Sequence, residues 1–151
     1  MLTSSAFENG GKIPKKYTCE GENISQPLTI SEVPENAETL ALIVLDIDVP
    51  QEFQEKLNIK DWDQWVVFNI ETKVTEIPEG KAPGTYGNNT SGKPAYDPIC
   101  PPTKHRYVFT LYALDTRLDL SEGASRADVE KVMEGHIIEK AELMGTYEKE
   151  K

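Results

Sequence analysis

The chain has 151 residues, 38% of them hydrophobic and 28% charged, with a formal net charge of -10 at pH 7. That length fits one domain around a single core, and the apolar share is too high for a disordered chain. The acidic balance argues against a nucleic-acid partner or stable attachment to an anionic membrane, both of which need a basic footprint, while leaving room for a locally positive pocket.

At the N-terminus, Met1-Leu2-Thr3-Ser4-Ser5 lacks the basic and apolar regions of a secretion signal. No apolar run approaches the ~20 residues of a membrane helix, so the expectation is a cytoplasmic protein. The N-x-[ST] sequons at Asn23, Asn88 and Asn89 then read as turn chemistry. Two cysteines, Cys19 and Cys100, make no disulfide framework, and a reducing compartment disfavours a bond between them. The two histidines and two cysteines are scattered without zinc spacing, so no metal or cofactor is expected.

Short runs of strand length lie between turn signals. Thr39 to Asp46 (TLALIVLD) predicts a buried strand, Trp65 to Ile70 (WVVFNI) a second, and His105 to Asp115 (HRYVFTLYALD) a long third. Ser125-Arg126-Ala127-Asp128 resembles a capping box with Asp in place of Glu, and Val129, Val132 and Met133 follow at helical spacing. Ala141, Leu143, Gly145 and Tyr147 alternate with Glu142, Met144, Thr146 and Glu148, which predicts a last strand. The fold expected is mainly β, an antiparallel sandwich whose only substantial helix begins near Ser125.

Two motifs fail on inspection. Gly87 to Lys93 (GNNTSGK) has much of a phosphate-cradling loop, but Pro94 takes the place of the magnesium-binding Ser or Thr and no helix can follow. Asp46, Asp48 and Glu52 hint at a hard-cation loop but lack the Gly and bidentate Glu at the required positions.

Three pairs place polar groups at strand ends. Asp46 and Asp48 fall where the first strand stops, Trp62 and Gln64 just before the second, and His105 and Tyr107 at the start of the third. A spacing of two puts each pair on one strand face, and one rim of a sandwich could gather all three.

These residues sit in ordered blocks that resemble the phosphatidylethanolamine-binding protein family. Asp46-Ile47-Asp48-Val49-Pro50 resembles that family's Asp-Pro-Asp-x-Pro, and Trp62 to Ile70 (WDQWVVFNI) its Trp-x-His-Trp-Val-Val-x-Asn. Gly92 to Asp115 is similar to its Gly-x-x-x-Tyr…Pro-Pro…His-Arg-Tyr-x-Phe block, and Lys140 to Tyr147 (KAELMGTY) to the short bacterial and archaeal Raf-kinase-inhibitor-like branch. The resemblance covers nearly the whole chain and implies one domain over residues 1–151. It implies a ligand pocket of Asp46, Asp48, Trp62, Gln64, His105 and Tyr107, joined by the loop from Pro98 through Cys100, Pro101 and Pro102. It also implies a sharp turn after Asp48, for which a cis peptide at Val49–Pro50 is the expectation, and a weak homodimer. The chain departs from the pattern in three places: Ile47 replaces a Pro, Gln64 the pocket His, and Pro98-Ile99 a Gly-Pro.

The function this implies is non-catalytic binding of a small phosphate- or carboxylate-bearing ligand, with a regulatory role. Two alternatives stand beside it: an inhibitor of a kinase or protease, and a hydrolase using Cys100, His105 and Asp46 as a Cys-His-Asp set.

Overall fold

The structure, a computed structural model, describes residues 1–150. Four long strands dominate it: β4 (Thr39–Asp46), β5 (Trp62–Ile70), β8 (His105–Leu114) and β9 (Ile137–Tyr147). With the short edge strands β2 (Gly11–Lys12) and β7 (Thr85–Tyr86) they form a six-stranded sheet in the order β2-β9-β8-β4-β5-β7. A smaller sheet, β1-β3-β6, is built from β1 (Leu2–Thr3), β3 (Leu28–Ile30) and β6 (Glu76–Ile77). Strand pairing is antiparallel except between β2 and β9.

The run TLALIVLD is apolar on both faces because β4, central in the large sheet, is covered on both. Leu40, Leu42 and Val44 face the small sheet and pack with Trp65, Val67, Phe109, Leu28, Ile30 and Ile77. Ala41 and Ile43 face the other way and pack with Val66, Phe68, Leu114 and Leu118, beneath α2 (Arg126–Met133) through Val129 and Met133. Each such side chain contributes about 1.5–3 kcal/mol when fully buried, so the double-sided middle of this sheet holds most of the stability.

The chain starts its strands and α2 close to where the pattern places them. Ser125 caps α2, its hydroxyl accepting from the Asp128 N–H at 3.0 Å. The last strand is longer than expected, beginning at Ile137, and the second begins at Trp62.

Three expectations fail. A second helix, α1 (Gln51–Leu57), follows the hallmark aspartates. The Val49–Pro50 bond is trans; Pro50 leads straight into α1, and the helix makes the turn that a cis bond was expected to make. Cys19 and Cys100 form a disulfide, their Cα atoms 5.4 Å apart across 81 positions of sequence. A 3-10 turn at Lys15–Tyr17 brings Cys19 beside the loop, where its N–H donates to Ile99 O at 3.1 Å. The reading against a bond rested on compartment, and the fold overrides it by geometry.

Candidate functional site

Strand register builds the site. Asp46 is paired directly with Trp62 of β5 on one side and with Tyr107 of β8 on the other. His105 lies two residues before Tyr107, and Gln64 two after Trp62, opposite a register shift between Val44 and Leu45. Five of the six pocket side chains therefore converge at one end of the large sheet. They line a cavity of about 400 Å³ together with Cys100, Pro101 and Pro102.

Asp48, the sixth, is not on that wall. β4 ends at Asp46, whose Oδ1 accepts from the Asp48 N–H at 2.9 Å. This turn ends the strand's alternation, so a spacing of two no longer means one face. Asp48 instead takes the Arg106 guanidinium at 2.8 and 2.9 Å and the Arg106 N–H at 2.8 Å. Those bonds hold its carboxyl below the usual range, chiefly through the guanidinium. Its role is to clip the turn onto β8.

The floor of the cavity is polar and buried. Asp46 is 7% exposed and His105 5%. His105 Nδ1 lies 2.7 Å from Asp46 Oδ2. A carboxylate can only accept, so Nδ1 carries a proton and Nε2 is left for the cavity. Burial, and then the Asp46 carboxylate, push the Tyr107 hydroxyl well above the usual phenol range. It therefore stays protonated at neutral pH and remains a donor.

Trp62 and Gln64 have a different task. Trp62 Nε1 donates to Asp97 Oδ2 at 2.7 Å, and Ser91 Oγ donates to the same oxygen at 3.0 Å. Gln64 Nε2 donates to the carbonyls of Asp97 at 3.0 Å and Pro98 at 3.4 Å, while the Asp97 N–H returns to Gln64 O at 2.8 Å. Both side chains hold the loop against β5, and their donors are spent there. From the same loop, Pro98, Pro101 and Pro102 can donate nothing, having no N–H. Its backbone donors are Ile99 and Cys100, neither of which donates to another described residue.

Five wall residues escaped the sequence reading: Asp97, Val49, Pro50, Phe53 and Leu57. Asp97 precedes Pro98, a pair common in turns that carries no signal of a site. Phe53 and Leu57 belong to α1, whose start and stop signals were present in Pro50, Glu52, Lys56 and Asn58. Among the described residues no group of three His, Cys, Asp or Glu side chains could hold a metal ion.

The comparisons agree with this architecture. The family model described as phosphatidylethanolamine-binding protein matches residues 3–148. A UPF0098 protein of Chlamydia pneumoniae is 52% identical over 151 residues, covering 99% of both chains. One from Methanothermobacter thermautotrophicus is 46% identical over 154 residues, covering 97% of both. A putative phosphatidylethanolamine-binding protein homolog from Chlamydia trachomatis superposes with a TM-score of 0.94 at 48% identity, covering 99% of this chain and 97% of that one. YbcL of E. coli, described as a new member of the mammalian family, superposes with a TM-score of 0.85 at 28% identity over 99% of this chain and 98% of that one. By sequence and by fold, the chain belongs to the phosphatidylethanolamine-binding protein family.

Proposed function

We propose that the protein binds a small phosphate- or carboxylate-bearing anion in the cavity over His105 and Tyr107, with a regulatory rather than a catalytic role. One observation carries this reading: the buried Asp46–His105 contact at 2.7 Å leaves Nε2 and the protonated Tyr107 hydroxyl at the floor of a preformed pocket. With a proton on each ring nitrogen Nε2 is a donor as well, and the floor then presents two donors to one oxyanion. The Cys100 N–H adds a candidate from the wall. A phosphorylated head group, as the family's name suggests, is one such anion.

The Cys-His-Asp reading loses its nucleophile, since the Cys100 sulfur is bonded to Cys19 and only a thiolate attacks. Calorimetry with inorganic phosphate tests the proposal on the parent and on Tyr107→Phe. A hydrogen bond to a charged group contributes roughly 1.5–3 kcal/mol, so the variant should bind at least about tenfold more weakly. Equal affinity would remove Tyr107 from the site.

A further inference from the structure

The floor of the cavity accounts for an anion and leaves its mouth unexplained. Among the described residues only four large apolar side chains are markedly exposed: Met1, Phe53, Leu57 and Ile137. Two of the four, Phe53 at 44% and Leu57 at 47%, line this one mouth. They stand four positions apart on α1, which puts them side by side. α1 itself buries no residue, so it is not held in place to complete the core. Gln54 anchors it, donating through Nε2 to Val49 O at 2.8 Å, and Asn58 ends it in the left-handed conformation. A seven-residue helix is marginal alone; here one is fixed so that its apolar pair faces the cavity.

The charges of the cavity narrow the occupant. Of the two wall carboxylates, Asp46 is committed to His105 and the Asp48 N–H, and Asp97 to Trp62 and Ser91. His105 is the one lining side chain that can carry positive charge. Polar groups sit at the floor and apolar ones at the lip, about 400 Å³ in all, a size typical of small-molecule sites and far from room for two acyl chains.

Resting on the anion reading above, we propose that the ligand is an anion bearing one compact apolar group, such as an aryl ester of phosphate, whose apolar part lies against Phe53 and Leu57. The oxyanion occupies the floor at His105 and Tyr107, and α1 sets the selectivity.

The test compares inorganic phosphate with phenyl phosphate by calorimetry on three proteins: the parent, Phe53→Ser/Leu57→Ser, and Ile137→Ser, which removes an exposed apolar residue elsewhere. Covering about 55 Å² of apolar surface corresponds to roughly a tenfold gain in affinity. The parent and Ile137→Ser should prefer phenyl phosphate by about that factor. The double variant should lose the preference while binding inorganic phosphate within about twofold of the parent, its far-UV circular dichroism unchanged. Equal binding of the two ligands by the parent, or a preference that survives in the double variant, overturns the proposal and assigns the lip to another occupant. If the parent binds neither ligand, the anion reading itself falls and this one with it.

Discussion

At the scale of residues, the types that make the floor were legible from spacing, and the bonds they make were not. Asp46, His105 and Tyr107 converge as alternation implies, because all three lie within regular strands. Asp48 diverges because the strand has already ended. Gln64 lines the cavity as the resemblance implies, yet its amide holds the loop, a choice set by where the loop's carbonyls lie and invisible in a linear pattern. The Asp48–Arg106 clip has a pH signature. Its folded-state carboxyl is lowered, so its contribution is present above the ordinary Asp value of about 4 and is lost as pH falls through the folded value. Asp48→Asn should therefore be less stable than the parent at neutral pH, with the gap closing on acidification below about pH 4. Denaturant titrations at a series of pH values check this, and a gap independent of pH would assign the cost to something other than the charge.

At the scale of elements, strand and helix periods predicted β4, β5, β8, β9 and α2, because each buries a face and burial writes a period into the sequence. α1 escaped because it buries nothing, so no apolar stripe faces a core. The short strands of the small sheet, two or three residues each, carry too few positions to show alternation. Close packing between elements is equally hidden. Gly145, in β9 opposite Tyr107, would place an added Cβ 2.6 Å from Ile13 Cγ1 and 2.8 Å from Phe7 Cε2. Ile13 is fully buried and cannot move aside cheaply. Gly145→Ala should cost about 1–3 kcal/mol, as overpacking does, measured by denaturant unfolding. A neutral substitution would show that β9 can shift away from the N-terminal segment.

At the scale of the molecule, the sandwich and its family were legible because ordered motifs span the chain, while the disulfide was not, since pairing depends on where distant loops meet. The Cys19–Cys100 bond ties the cavity loop to the N-terminal segment across 81 positions. Long loops gain the most from closure, and Cys19→Ser should cost about 2–4 kcal/mol; thermal melts of the parent with and without reductant should differ in the same direction. No helix among the described residues is long and apolar enough to cross a membrane. The fold places a small polar floor at one end of the large sheet, under a loop tied by the disulfide. The measurement that bears most directly on this account is calorimetry of inorganic phosphate on the parent and His105→Ala at one neutral pH. The predicted result is that His105→Ala, which leaves Asp46 facing the anion, loses at least about tenfold in affinity. A His105→Ala protein that folds and binds phosphate as the parent does would contradict it.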